Sequence, residues 1–438
     1  MSAANVLFLL VLVFALACFS YSAQRVFRFI RIGRDERRWD HVGRRLWNVL
    51  SIGIGQRKIL RDPVAGPLHA FVFWGFVVLT AGSVEILIGG VVPGFSFERI
   101  LSAPLFALFV LSQEGFALFV LIAVGLLLYR RLVVKPARLQ GDKVHGGDAV
   151  LILSMIAGLM VTLILTSAFD RVLEPRIAMG LQPISGPVSI AFSWMSPGAA
   201  EPARLVSWWA HALLLLFFLN YLPYSKHLHV IVSLPNTFLS NTSGPGVIGA
   251  MPLMDLEVET EQFGAADVTH LTWKNLLDGY SCTECGRCTA VCPANITGKL
   301  LSTRKIVINT RERLAELAPA IVGGDGVFGL FLLGRPPADA AAALSAGRRL
   351  LDGYITEEEL WACTSCRACV QECPVSIDQL EIINELRRGL VLTESRFPEE
   401  VLPAFESLER NCSPWAFQPS ERAAWAEGLD IPTMAELA

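Results

Sequence analysis

The sequence predicts an all-α membrane protein in two parts, a five-span transmembrane helical bundle followed by a helical domain built around cysteine. Hydrophobic residues make up 53% of the 438 residues and charged residues 18%, both displaced from the soluble globular range toward membrane insertion. Apolar runs dominate the first half of the chain. Eight of the ten cysteines fall in two compact runs after residue 280, a clustering that argues for metal ligation in a reducing compartment over a disulfide framework.

The apolar runs lie at residues 4–23, 67–92, 105–129, 149–170 and 206–224, each near the roughly 20 residues that cross a bilayer. No basic residue precedes the first run's apolar core and no small-x-small cleavage site follows it, so it reads as a retained helix and not as a secretory signal. Orientation follows from the short loops. Eleven arginines and lysines lie between Arg25 and Arg61 and five more in "YRRLVVKPARLQGDK", against Arg99 alone in 93–104. Both basic loops are therefore expected in the cytoplasm, with the N-terminus outside the cell membrane and everything after residue 230 inside. The net charge of −3 averages a basic half with an acidic one and gives no support for a nucleic-acid partner.

These patterns divide the chain into a membrane domain over 1–232, a polar linker over 233–266, a helical cysteine domain over 267–395 and a C-terminal extension over 396–438. An outer loop is expected at 172–204. "TRKIVINTRERLAELA" and "IDQLEIINELRRGLVL" repeat apolar residues at helical spacing, whereas "GGDGVFGLFLLGRPPADA" fits neither period and reads as an inserted loop. Gln113 and Glu114 interrupt the third run; they mark either an interfacial break or a proton or quinone contact.

The first cysteine run supplies Cys282, Cys285, Cys288 and Cys292, followed by Pro293; the second supplies Cys363, Cys366, Cys369 and Cys373, followed by Pro374. Each is C-x2-C-x2-C-x3-C-P, the bacterial ferredoxin pattern in which three thiolates hold one cubane and the fourth reaches the other. Two [4Fe-4S] clusters follow, one on Cys282, Cys285, Cys288 and Cys373, the other on Cys363, Cys366, Cys369 and Cys292. Paired zinc sites are the alternative, but zinc does not need a triplet at three-residue intervals closed by Cys-Pro. With helical patterns between the runs, the domain reads as an α-helical ferredoxin.

Four histidines lie in or near the spans, and intramembrane ionisable groups are functional suspects. His69 enters the second span from the basic side. His211 begins the fifth span at the outer side, and His229 follows eighteen residues later, five turns and roughly 27 Å along one continuous helix. His69 and His229 then form a bis-histidine pair for a haem b, with His227 in reserve should Pro223 shift the phase. A second haem at His211 would be five-coordinate or take Met155 or Met160.

Together, "GPLHAFVFWGFVVLTAG", "WWAHALLLLFFLNYLPYSKHLHV" and the two cysteine runs resemble the heterodisulfide-reductase-related membrane electron-transfer proteins, whose N-terminal half is similar to the cytochrome b subunit of respiratory nitrate reductase. "ELWACTSCRACVQECPVSID", "ESRFPEE" and "LERNCSPW" look most like the electron-transfer-flavoprotein:menaquinone oxidoreductases of that group. The resemblance implies that His69 and His229 hold an inner haem and that His211 is one ligand of an outer one, opposite which this chain has Leu79. In longer relatives the segment like "ERAAWAEGLDIPTMAEL" leads into cysteine-rich CCG domains, expected here on a separate subunit or a continuation of the chain.

On that resemblance, electrons from a cytoplasmic donor such as electron-transfer flavoprotein pass through two clusters and haem b to menaquinone, with Glu114, Lys226 or His227 as proton carriers. The alternatives are a heterodisulfide or sulfur-compound reductase fed by quinol, and a non-catalytic membrane anchor and electron wire.

Overall fold

The computed structural model describes residues 2–140, 146–174, 181–243, 262–322, 348–432 and 434–437. Ser2 opens the first helix with a capping box, its hydroxyl accepting from Asn5 N while Asn5 Oδ1 accepts from Ser2 N. Seven helices follow in the membrane half and at its exit: α1 (Ala3–Ile30), α2 (Val42–Asn48), α3 (Ala65–Val91), α4 (Ala103–Tyr129), α5 (Gly146–Leu173), α6 (Ser185–Ile190) and α7 (Pro197–Tyr221). Five of them, α1, α3, α4, α5 and α7, are long and apolar enough to cross a membrane. Leu10, Val13, Val77, Leu108 and Ile122 are exposed on their outer faces. A helix that is apolar all round needs lipid or protein against every side, since water offers it nothing.

Because lipid is as apolar as leucine, the bundle relies on close packing and on polar bonds between helices. Asn5 Nδ2 donates to Gly90 O at 2.9 Å and Asn220 Nδ2 to Ala15 O at 3.1 Å. Leu79, Ala117, Val120, Val124, Leu159 and Met160 close a buried cluster between α3, α4 and α5. Gln113 and Glu114 do not break the third span, because both find internal partners. Gln113 Nε2 donates to Val78 O at 3.0 Å, and Glu114 accepts from Ile184 N at 2.9 Å, Ser185 N at 2.8 Å and Ser185 Oγ at 2.5 Å. Glu114 thereby caps α6, a short helix inside the segment expected to be an outer loop; α7 also begins in that segment, at Pro197.

The fifth span ends earlier than its pattern suggested. Pro223 sits in a 3-10 turn, Leu222–Tyr224, and a second turn, Lys226–Leu228, leads into α8 (His229–Phe238). Residues 233–238, expected as linker, therefore continue a helix that docks on the cysteine domain. Asn236 is fully buried, its amide donating to Asp278 Oδ1 and Val375 O, both at 2.9 Å. At the other end of that linker, Ala265 N bonds Glu385 O at 2.7 Å. The rest of the linker, 244–261, and the apolar insert at 323–340 lie outside the described residues.

In the cysteine domain, Thr272 and Asn275 form a capping box that starts α9 (Trp273–Ser281), and Ser302 caps α12 (Thr303–Ile321). A third helix, Gln379–Arg388, starts at the Asp378 side chain. Leu276, Ile306, Leu314, Ile382 and Leu386, spaced along these helices, are fully buried in one core. Phe29 of α1 is 2% exposed in the same core, so the first membrane helix leaves the bundle and ends inside the cysteine domain. A two-residue strand, Tyr354–Ile355, is the only one among the described residues.

Buried polar bonds fasten the two halves. Arg34 N and O exchange bonds with Leu271 O at 2.8 Å and Trp273 N at 3.0 Å, and a Cβ on Gly33 would meet Trp273 N at 2.6 Å. Arg38, 6% exposed, donates from Nη2 to Glu381 Oε1 at 2.7 Å and Oε2 at 2.9 Å. Breaking one side of such a pair leaves a buried, uncompensated charge. Arg38→Met is expected to cost about 3–5 kcal/mol, read as a lower midpoint for thermal unfolding of the detergent-solubilised chain followed by tryptophan fluorescence. Arg38→Met with Glu381→Met should recover most of that loss.

Candidate functional site

Both cysteine runs fold as the same loop. Glu284 and Gly286 have φ of 57° and 72°, and Ser365 and Arg367, at the matching positions of the second run, have 56° and 61°. Left-handed residues in such a turn point successive N–H groups to one side and make a concavity suited to anions. Three of these four residues carry a Cβ, a strain that persists only where the surroundings fix the loop. At Gly286 a Cβ would also lie 2.3 Å from Arg138 O, so glycine is what lets this loop sit against the membrane half.

Each loop is followed by a short helix, α10 (Arg287–Ala290) in the first run and Ala368–Glu372 in the second, and the two helices pack on each other. The chain reaches Cys292 past the first helix and Cys373 past the second. Cys282 and Cys288 accordingly lie in the electrostatic field of Cys373, as does Cys285 in that of Cys373's thiol. Cys363 feels Cys292 and Cys366, and Cys369 feels Cys363 and Cys292. Cys373 thus lies near Cys282, Cys285 and Cys288, and Cys292 near Cys363 and Cys369, as the crossed grouping expects. The short helix α11 (Pro293–Ile296) starts at Cys292.

Two tests bear on what these thiols hold. Burial pushes the Cys282 thiol up to about 12 and the Cys373 thiol up to about 11, so thiolates there need the positive charge of a metal. A tetrahedral zinc takes four thiolates within about 2.3 Å of one point; a cubane, with iron at each corner, accepts thiols spread wider. Backbone N–H groups point at sulfur in both groups, Ser365 N at 3.4 Å from Cys363 Sγ and Ile377 N at 3.3 Å from Cys373 Sγ. The residues present fit two iron-sulfur clusters.

The groups differ in surroundings. Lys58, from the membrane half, donates to Cys373 O at 3.0 Å, and Glu284, within the first loop, binds Arg311 at 2.6 Å and Lys226 at 3.5 Å. Cys366 of the second group is exposed. The first group therefore faces the bundle and the second faces away from it.

His69 and His229 come from different helices and lie with ring centres 6.4 Å apart, the planes tilted by 37°. His69 Nδ1 bonds Gln56 Oε1 at 3.1 Å and His229 Nδ1 bonds Lys226 O at 3.0 Å. With Nδ1 donating in each ring, Nε2 is the nitrogen left for a ligand. Two imidazoles on opposite faces of one metal, each bonded at about 2 Å, need ring centres roughly 6 Å apart, and the residues present fit a haem. The helical-phase argument for this pair does not hold, because α7 ends before either His227 or His229. His227 packs edge-on against His229 at 5.0 Å and against Phe218 at 5.5 Å.

His211 lies midway along α7, since that helix starts at Pro197 and not near residue 206. Its Nδ1 lies 3.1 Å from Leu159 O and 3.0 Å from Thr162 Oγ1. No second histidine ring contacts it among the described residues. Leu79 and Met160 pack into the apolar cluster of α3, α4 and α5, and Met155 packs with Ile152, Phe218 and Leu222. The two methionines expected as ligands are thus packed in apolar clusters. Of the expected proton carriers, Glu114 is spent on capping α6 and Lys226 is paired with Glu284.

Sequence reasoning missed Gln56 and Lys58. They sit two residues apart in the turn between α2 and α3, Gln56 5% exposed with φ 54° and Lys58 7% exposed. Nothing periodic marks "GQRK"; a glutamine and a lysine in a basic loop read as solvated.

Residues 281–377 match the 4Fe-4S dicluster domain family. The chain is 33% identical, over 98% of its length, to a probable iron-sulfur-binding oxidoreductase FadF of Bacillus subtilis, of which it covers 62%. Over 91% of its length it is 29% identical to an EtfAB:quinone oxidoreductase of Syntrophomonas wolfei, covering 56% of it. Over 29% of its length it is 32% identical to one component of the ferredoxin/F420H2-dependent CoB-CoM heterodisulfide reductase of Methanosarcina acetivorans, covering 58% of that component. The chain thus spans less than two thirds of these relatives. No solved structure matches it.

The grouping of the thiols predicts paired phenotypes. Anaerobically reconstituted protein should bind about eight irons per chain. Cys373→Ser should alter the same paramagnetic signal as Cys282→Ser, and Cys292→Ser the same signal as Cys366→Ser, in electron paramagnetic resonance of the reduced protein.

Proposed function

We propose, for a chain whose homologues are iron-sulfur oxidoreductases, that it connects a soluble electron donor to menaquinone in the cell membrane. The two [4Fe-4S] clusters and a haem b would supply one-electron relay centres. Cys282, Cys285, Cys288 and Cys373 would hold one cluster and Cys363, Cys366, Cys369 and Cys292 the other, and His69 and His229 would hold the haem. The observation that carries the reading is the placement of the first thiol group against the bundle, where Lys58 and Gln56 in one turn reach Cys373 O and His69 Nδ1 respectively.

The chain's own residues do three things in this scheme. Gln56 and the Lys226 carbonyl fix the tautomer and orientation of the two imidazoles. The two loops gather the thiols, burying all but Cys285, Cys363 and Cys366, and turn N–H groups toward sulfur, which stabilises negative charge there. Exposed Cys366 marks the side on which a donor would approach. Basic loops at the cysteine-domain end of the bundle support a cytoplasmic location for that domain, and an electron-transfer flavoprotein is the donor we infer from the EtfAB:quinone oxidoreductase relative.

A second reading runs the same centres from quinol toward a disulfide or sulfur compound. It is favoured by the heterodisulfide reductase relative, whose match spans 132 residues. In either direction the chain acts as the membrane anchor and electron wire of a larger system, with a CCG-domain portion as a candidate partner.

Two measurements test the proposal. Purified membranes given reduced electron-transfer flavoprotein and a menaquinone analogue should show reduction of the haem α band followed by reoxidation; a haem that dithionite reduces but the flavoprotein does not would reject this donor. His69→Ala should abolish the low-spin haem spectrum while leaving the iron-sulfur signals in place, and His211→Ala should leave that spectrum unchanged.

A further inference from the structure

Lysine is almost never fully buried without a partner, yet Lys58 is 7% exposed and belongs to no ion pair among the described residues. Its ammonium donates to Cys373 O at 3.0 Å and to Val370 O at 3.4 Å, two carbonyls at the end of the helix that delivers Cys373. Glu372, the acidic residue in the same turn, is engaged by Arg287 and lies 3.6 Å from Arg61. Two carbonyl dipoles and the attraction of Glu372, a carboxylate shared with Arg287 and Arg61, compensate the positive charge only in part, and buried charges are paired or bind a counter-ion. The negative charge that would complete this site is that of thiolates carrying a metal cluster.

We propose that Lys58 is a positioning residue which sets the reduction potential of the cluster held by Cys282, Cys285, Cys288 and Cys373. This rests on the reading of the two cysteine groups given above. One added electron makes a thiolate-held cluster more negative by one charge, and a fixed cation a few ångströms away stabilises that state more than the oxidised one. The effect is local. On the other group the comparable cation is Arg387, which donates to Leu360 O at 2.7 Å and 3.2 Å, lies over the Trp361 ring at 5.1 Å and feels the charge of Cys363.

The two cations have different origins. Arg387 belongs to the cysteine domain itself, whereas Lys58 comes from the membrane half, two residues after Gln56, the partner of His69 Nδ1. Docking of the cysteine domain on the bundle therefore brings a positive charge to one thiol group and not to the other. Docking therefore makes the cluster facing the bundle easier to reduce than it would be undocked, and that increment exists only in the docked state.

The experiment is a redox titration of the full-length, cluster-loaded protein in detergent, followed by electron paramagnetic resonance, on the parent, Lys58→Met, Lys58→Arg and Arg387→Met. In Lys58→Met one of the two clusters should become about tenfold harder to reduce, a fall of about 59 mV for one electron, while the other keeps its midpoint. Lys58→Arg should restore the parent value, and Arg387→Met should move the other cluster. The proposal is overturned if Lys58→Met, with its full iron content, leaves both midpoints in place, or moves both equally. Should Lys58→Met lose a cluster, Lys58→Arg decides: both clusters present at parent midpoints support a role for the charge, and loss of the same cluster there overturns it in favour of packing. A parent protein with no [4Fe-4S] signal would instead reject the reading of the cysteine groups themselves.

Discussion

Cys292 and Cys373 each leave the loop in which their run began and end beside the other loop, and the cysteine domain is arranged around keeping that exchange in register. A thiol displaced by a few ångströms could not join a cluster held by the other loop, so the two short helices that carry the exchange would have to pack at one fixed separation. Neither is long enough to be stable alone. Their support comes from α9, α12 and the Gln379–Arg388 helix, whose buried leucines and isoleucines form the core. The strained residues at Glu284, Ser365 and Arg367 are held by the same packing. Local strain in the loops is offset by apolar burial a few residues away.

The membrane half is tied to this register by backbone and buried polar groups. Arg34, Arg38, Lys58, Asn236 and the Arg138 carbonyl all reach across. Most such bonds are worth about 1 kcal/mol net, but each is costly to leave half made, which makes the docked arrangement specific. The outcome is a histidine pair and a thiol group joined by one short turn.

What could be read from the sequence follows from how far each signal extends. The five spans were visible because a run of about twenty apolar residues is what a lipid-crossing helix needs and water-facing helices lack, but their ends were not. Helices α1 and α7 each run past the apolar stretch, one as Arg25–Ile30 and the other back to Pro197, and hydropathy is blind to a helix that leaves the lipid. The cysteine pattern marks the fourth thiol of each run by spacing and by proline, and in the structure Cys373 lies near the first run and Cys292 near the second. His69 and His229 were paired on a helical phase that Pro223 interrupts, so the reasoning held only in placing both near one end of the bundle. Gln56 and Lys58 carry no periodic signal. Their burial is created by docking, a property of two surfaces that neither stretch of sequence contains.

Phe29 gives this architecture a history in time. The residue is made and threaded with the first span, yet the core that receives it is built from Ala265 to Leu390, more than two hundred residues later in synthesis. Closing so long a loop is a slow, non-local event. Until it happens the end of α1 stands as an unfilled half-socket at the membrane surface, and the core lacks an aromatic ring. Metal loading and bundle assembly then become one folding problem, and a version of the cysteine domain freed from its first membrane helix is a domain with a hole in it.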